Sequence, residues 1–468
     1  MSQNESAADQ QSVAVVGGGL AGLSAGCALA DAGFKVTLFE RRPFLGGRAS
    51  SYEHPGTGEI VDNCQHVLLG CCTNLIDFYR RLGVEQKIAW FDTLYFIEPG
   101  GRRSEISPSP LPAPLHSTPA FLRARFMDFA DKDAIARAML VLMNGLPRDT
   151  EESFLQWLLR HGQTDQAIER FWMPVLVSAL NEDLDRMSVR YAAQVFRESF
   201  LKSAQAGEMG VPSVPLTELY SAAGDYMRAR WGEVRLRCGV EAVSPSAEGI
   251  ALRAGEQQFR FDAAVLAVPF DSLAKMLPAT AEAAPLQAML AKFEHSPITG
   301  IHLWFDREVT KLPHAVLLDR TIQWMFNKTL LQEREEQNGK SYLELVVSSS
   351  KSLVTKSRQE IIELAVAELA EFFPAVREAR LEKATVIKEV HATYSAKPLS
   401  DSYRPQSKTA WPGIFLAGDW TSTGWPATME GAVRSGYMAA EALAQSRGEP
   451  CDVLVPDLKA TGLMRLFG

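Results

Sequence analysis

The stretch Val13-Ala14-Val15-Val16-Gly17-Gly18-Gly19-Leu20-Ala21-Gly22 commits the start of this chain to a strand, a tight turn and a helix. The small apolar run makes a buried strand, and Leu20–Asp31 makes the helix, with Gly33 as its stop. Gly17 permits the turn, Gly19 lets the backbone approach a pyrophosphate, and Gly22 lets helix and strand pack closely. The helix start at Leu20 and Ala21 presents unpaired N–H groups and the positive end of the helix dipole to phosphate. A second strand, Lys35–Phe39, ends at Glu40 and Arg41, and Glu40 stands where an acid accepts hydrogen bonds from ribose hydroxyls. Gly46-Gly47-Arg48 adds a second close backbone approach, at Gly47, and a fixed cation, Arg48, both suited to a pyrophosphate. Strand, helix and acid in this order specify a dinucleotide-binding βαβ unit.

Near the far end, Ile414-Phe415-Leu416-Ala417-Gly418-Asp419-Trp420 reads as a short apolar strand running into a glycine and an acid. Asp419 beside Gly418 suits a carboxylate that holds ribityl hydroxyls. The helix that opens at Thr428, Met429 and Ala432 suits the N1–C2 carbonyl of a flavin, where it stabilises the charge of the reduced ring. The first segment alone specifies a dinucleotide, and the pair specifies FAD. No second GxGxxG appears, so no separate NAD(P)H domain is expected. The expected fold class is α/β: a discontinuous Rossmann-like FAD-binding domain of the glutathione reductase type, with an inserted mixed α+β substrate domain.

With 468 residues the chain has room for two or three domains. Residues 11–75, 210–290 and 385–448 are expected to form the FAD domain, and 76–209 with 291–384 the substrate domain. Val234–Val243 and Phe259–Val268 read as strands, Gly300–Phe305 as sheet, Ile361–Phe373 as an amphipathic helix, and Phe121–Arg197 as a helical block. Ser107–Pro114 reads as a stiff extended linker. A net charge of −8 argues against a nucleic-acid partner. Six scattered cysteines without metal-ligand spacing read as reduced thiols of a cytosolic protein with no metal site. Met1–Gln11 reads as a disordered lead-in rather than a signal peptide, and no apolar run reaches the ~18–20 residues that span a bilayer.

The fingerprint, Gly46-Gly47-Arg48 and the C-terminal Gly-Asp motif resemble the flavin amine oxidase and phytoene (carotenoid) desaturase superfamily over nearly the whole chain. Within it, Val61-Asp62-Asn63-Cys64-Gln65-His66-Val67-Leu68-Leu69-Gly70 resembles a signature of hydroxysqualene dehydroxylases of bacterial hopanoid synthesis. Leu416–Thr421 and Glu430–Gly436 resemble that family too. The resemblance implies that Cys64 and Gln65 lie at the flavin, with Cys64 standing where the family usually has glycine, and that Val240 pairs its backbone with the adenine. It also implies reduction of hydroxysqualene, a C30 allylic alcohol, to squalene, downstream of hydroxysqualene-forming enzymes.

That reaction requires a proton for a poor leaving group, a dry apolar pocket and hydride from reduced flavin. His66 and Asp62 are the candidate acids, although a histidine placed after a strand is more often a hydrogen-bonded structural residue than a catalyst. Phe171, Trp172, Trp304 and Phe305 are available for the pocket. A long-chain isoprenoid substrate is barely soluble, so peripheral membrane contact is expected, with residues 115–146 as the candidate segment; an internal packed helix fits its composition equally. Rival readings are an isoprenoid desaturase running hydride to the flavin, a non-redox flavin-dependent mutase, and a flavin-bound scaffold.

Overall fold

The structure is a computed structural model and describes residues 10–278, 280–332 and 339–467. Most of the expected disordered lead-in, Met1–Gln11, lies outside the described residues. Five parallel strands form the first sheet, in the spatial order 233–235, 35–39, 12–16, 263–266 and 414–416. Ser12–Val16 is central and buried on both sides, which is why it reads as an unbroken apolar run.

One face of this sheet carries the first helix, Leu20–Asp31, packed against the last long helix, Met429–Ser446. Their approach is close enough that a Cβ on Gly436 would stand 2.3 Å from the Ala21 carbonyl oxygen. The other face carries an antiparallel meander, 242–246, 249–254 and 257–261, whose Phe259 and Phe261 meet Phe39 edge-on. Helices on one face and a meander on the other make the expected α/β class with a Rossmann-like core.

A second sheet of seven strands runs in the order 381–394, 295–305, 341–348, 324–327, 314–317, 94–97 and 103–106. One face buries Ile301, Leu303, Phe305, Leu343 and Leu345 against the helix Arg358–Phe372. The opposite face turns toward the first domain, where Val61 and Cys64 pack against it. A small sheet of 68–69, 209–212 and 88–91 ties the two halves together, and the block 118–201 is helical.

Four expectations change. Residues 385–394 belong to the seven-stranded sheet, since 381–394 pairs along 295–305. Val234–Val243 is two strands in different sheets, because Cys238 N–H turns back to the Glu40 carbonyl and Arg237 takes a positive φ of 55°. Phe259–Val268 likewise divides at Asp262, whose carboxylate takes the Ser12 N–H and hydroxyl, each at 2.7 Å. Ser107–Pro114 is a folded-back loop rather than an extended linker: the Ser109 N–H and hydroxyl both donate to the His116 carbonyl at 2.7 Å.

Candidate active site

The glycine turn is built from backbone. Gly17 has φ 111°, and a Cβ there would lie 2.4 Å from the Ala267 carbonyl oxygen; at Gly22 it would lie 1.9 Å from the Gly17 oxygen. Around Gly19 the space is open, with Gly47 Cα nearest at 3.9 Å. The two loops lie side by side: Gly46 N–H donates to the Gly18 carbonyl at 2.8 Å. No side chain caps the first helix and no acid stands in its first turn, so its leading N–H groups face the cradle free for an anion. Glu40 is buried and accepts Gly18 N–H and Arg42 N–H, each at 2.7 Å. Arg41 is exposed beside it, with Gly239 packed on its Cβ. Val240 lies in the same connection, outside any strand and half-buried.

The distant half-site closes onto this one. Arg48 donates to Asp419 at 2.8 Å and to the Ala392 carbonyl at 2.7 Å. Gly418 N–H donates to Ser435 Oγ at 2.8 Å, and Thr428 caps the last helix through Gly431 N–H. Thr428, Met429 and Ala432 stay half-buried on the helix start. Two residues missed from sequence hold this half in place. Arg404, fully buried, donates to the Asp419 and Thr421 carbonyls and to Tyr191. Glu430, also fully buried, accepts Asn74 N–H at 3.2 Å and Leu75 N–H at 2.8 Å, which caps the helix Thr73–Leu82 and secures it to the last helix.

The third component is the segment Asp62–His66. Asn63 Nδ2 donates to the Arg48 carbonyl at 3.2 Å and to Glu389 at 3.1 Å. Gly300 of the long sheet lies against Asn63 and Cys64, so the segment runs between the two domains. His66 sets Nδ1 2.7 Å from the Cys64 carbonyl, which makes Nδ1 the protonated nitrogen and leaves Nε2 an acceptor. Burial lowers its basicity, so it stays neutral. Asp62 takes other partners: the Lys328 ammonium at 2.6 Å and Leu216 N–H at 3.1 Å. The ammonium holds Asp62 below the usual carboxylate range against the opposing effect of burial. Asp62 is thus an ionised anchor, not the acid expected from the sequence.

The apolar candidates do not converge. Trp172 is buried among Phe154, Phe171 and Phe196 of the helical block. Trp304 stacks on Tyr342 on the face toward Val61, while Phe305, one residue on, points into the opposite core. Leu69, Phe91, Leu94, Ile298 and Trp324, partly exposed, pack on the apolar cluster that Cys64 forms with Met209, Val211, Phe326, Leu331 and Val346. All six cysteines are free, with Cys27, Cys64 and Cys71 buried.

A cradle with two glycine loops, an uncapped helix start and an Arg48–Asp419 closure fits a flavin dinucleotide, and residues 20–444 match the family described as flavin containing amine oxidoreductase. The chain belongs to the flavin containing amine oxidoreductase family. Its cofactor is FAD and it is an oxidoreductase. Among curated proteins, the 15-cis-phytoene desaturase of Synechococcus elongatus is 29% identical over 460 residues, covering 93% of this chain and 96% of that one. A zeta-carotene desaturase of Zea mays is 27% identical over 466 residues, covering 91% and 82%. An oxidoreductase from Methanosarcina mazei has the same fold, with a TM-score of 0.72 at 18% identity, covering 91% of this chain and 98% of that one. Within this family's frame, the first glycine loop and helix start would hold the pyrophosphate, Glu40 the adenosine ribose, and Asp419 with the Thr428–Ala432 helix start the ribityl and ring. When bound, FAD supplies a two-electron hydride donor or acceptor.

Proposed function

We propose that this oxidoreductase exchanges hydride between FAD and a long linear polyisoprenoid. The observation that carries the substrate class is the set of half-buried apolar side chains, Leu69, Phe91, Leu94, Ile298 and Trp324, packed on the apolar cluster that contains Cys64. Such an apolar surround suits a chain of methyl-branched hydrocarbon. The full-length relatives, named as desaturases of phytoene and zeta-carotene, favour the direction in which the substrate is dehydrogenated.

A second reading, reductive dehydroxylation of hydroxysqualene to squalene, is favoured by the segment Val61–Gly70 and its resemblance to hydroxysqualene dehydroxylases. The two reactions differ in redox sense and in water release, so one experiment separates them. The purified holoprotein is incubated anaerobically with phytoene in the oxidised state and with hydroxysqualene after reduction of the flavin, and lipids are read by mass spectrometry. Squalene from the second incubation alone establishes dehydroxylation, and desaturated product from the first alone establishes desaturation. Turnover of neither overturns the polyisoprenoid reading.

The substrate is to be drawn from a lipid surface. Among the described residues no helix is long and apolar enough to cross a membrane. Phe126, Met127 and Leu142 of the 115–146 segment are core residues, whereas Leu122, Phe129, Leu140 and Val141 are exposed. The C-terminal turn, held where Leu463 N–H donates to the Ala113 carbonyl, adds the exposed Leu463 and Leu466. Exposed apolar side chains interspersed with Arg123, Lys132 and Arg465 suit an anionic headgroup region. Flotation with phosphatidylglycerol vesicles tests this, and a Leu122→Ser, Phe129→Ser variant should stay at the bottom of the gradient. Failure of the wild-type protein to float removes the membrane contact.

A further inference from the structure

The seven-stranded sheet presents to the cofactor domain a row of side chains set by register: His302, Glu344, Phe326 and His314. Glu344 is fully buried in this row. On one side of it lie Cys64, Met209, Val211 and Val346, and on the other Val61, Trp304 and Tyr342. The cation facing it is Lys328, with Nζ 3.3 Å from Glu344 Oε2. That same ammonium stands 2.6 Å from Asp62 and 2.8 Å from Gln65 Oε1, and it too is fully buried.

Among the described residues, one buried cation therefore meets two buried carboxyl groups. With both ionised, the site would hold an uncompensated negative charge away from water, which is costly. One proton removes it. The two carboxyls are unequal hosts: Asp62 is nearer the ammonium and also accepts Leu216 N–H at 3.1 Å and Gln332 Nε2 at 3.4 Å. Glu344 has the longer contact to Lys328 and the Gln65 N–H facing it. Its register neighbour His302 spends Nδ1 on the Tyr342 hydroxyl at 2.8 Å; among the described residues Cys64 faces Glu344 from the cofactor side, and His66 and Tyr220 lie within electrostatic reach of Asp62.

We propose that Asp62, Lys328 and Glu344 form a one-proton store beside the Asp62–His66 segment, with the exchangeable proton on Glu344 and Lys328 as the positioning residue that couples it to Gln65. The use of this store rests on the reading that the enzyme exchanges hydride with a polyisoprenoid. In either direction a proton moves with the hydride. Cleaving a C–OH bond puts one proton on the departing oxygen, which leaves as water while hydride from reduced flavin forms the C–H bond. Desaturation passes hydride to oxidised flavin and releases one proton from the adjacent carbon as the C=C bond forms. A filled store serves the first and an emptied store the second. Burial pushes the Glu344 carboxyl up to about 7, so the store fills and empties around neutrality.

Infrared titration of the FAD-loaded protein tests the store without any substrate. A carbonyl stretch of a buried carboxylic acid should be present at pH 6 and fade as the pH rises through neutrality. Glu344→Gln, nearly isosteric, should abolish it. Asp62→Asn should move its midpoint to lower pH, because Lys328 then neutralises Glu344 alone, and this readout holds if the first variant does not fold. A band that survives Glu344→Gln, or a midpoint that Asp62→Asn leaves in place, overturns the store. In single-turnover hydride transfer with whichever isoprenoid the enzyme accepts, Glu344→Gln should remove the inflection near neutrality and slow the step on the order of 100-fold. If neither isoprenoid reacts, the substrate reading fails while the infrared titration still decides the store.

Discussion

Arg48 and Asp419 lie 371 positions apart in the chain and 2.8 Å apart in space, and their ion pair joins the two glycine-rich segments from opposite ends of the chain. Asp419 is buried, whereas Arg48 keeps about a third of its side chain accessible. A charge-assisted hydrogen bond of this kind contributes about 1.5–3 kcal/mol. Asp419→Ala should therefore weaken FAD binding by roughly tenfold to a hundredfold, read as flavin absorbance retained after gel filtration and as a Kd by fluorescence quenching. Full retention of flavin would place the ribityl elsewhere.

The helix pair that joins the chain ends should tolerate no side chain at Gly436. A Cβ there would lie 2.1 Å from Ser24 Oγ and 2.3 Å from the Ala21 carbonyl, so the backbone of one helix must move. Gly436→Ala should destabilise the protein by about 1–3 kcal/mol, measured as a lower midpoint in urea. An unchanged midpoint would show that the helices part at little cost.

Lys328→Met should cost about 3–5 kcal/mol, because it leaves Asp62 as a buried charge without its cation. Adding Asp62→Asn to Lys328→Met should recover most of that loss, since Glu344 then stays protonated among apolar neighbours. The double-mutant cycle in urea unfolding reads the coupling directly, and purely additive losses would contradict the pairing.

His314 supplies a pH dependence of the opposite kind. It is fully buried within ring contact of Phe91, Tyr95, Trp324 and Phe326, and neither ring nitrogen has a hydrogen-bond partner among the described residues. Burial lowers its pKa from 6.5 to about 4. The unfolded chain therefore binds a proton in that window that the folded one refuses. Stability is intact above 6.5 and falls by about 3 kcal/mol as the pH drops toward 4. His314→Phe should flatten this loss and raise stability at neutral pH, because it removes an unsatisfied polar ring from an aromatic surround. A variant with the wild-type pH profile would assign the acid sensitivity to other groups.

Glu344 works in the other direction. Its folded pKa lies above the unfolded one, so folding takes up a proton between 4.5 and about 7 and stability declines as the pH rises through that window. Glu344→Gln should remove the decline, as seen in urea midpoints at pH 5 and pH 8.

The glycine turn was legible in the chain because its parts are local. Gly17, Gly19, Gly22 and Glu40 lie in or beside a turn and two strands of a single βαβ unit, and the space around Gly19 is open. The strand that runs into Gly418 and Asp419 was legible for the same reason. Where a long-range hydrogen bond cut an apolar run, as at Cys238 and Asp262, the strand reading ran on too far. Asp62 was misjudged because a carboxylate's ionisation depends on what faces it, and Lys328 lies 266 positions away. A signal for Glu344 did exist: it is the lone acid in Ser341–Ser348, a strand buried at every position.

The sequence by itself determined the dinucleotide turn, the acid after the second strand and the need for a second flavin motif, since each rests on backbone freedom or short-range periodicity. Only the tertiary structure decided that Arg48 meets Asp419, that Glu430 caps a helix from the other end of the chain, and that one lysine serves two carboxyls. Those outcomes depend on register between strands and on burial, which set distance and dielectric around each charge and leave no local pattern to read.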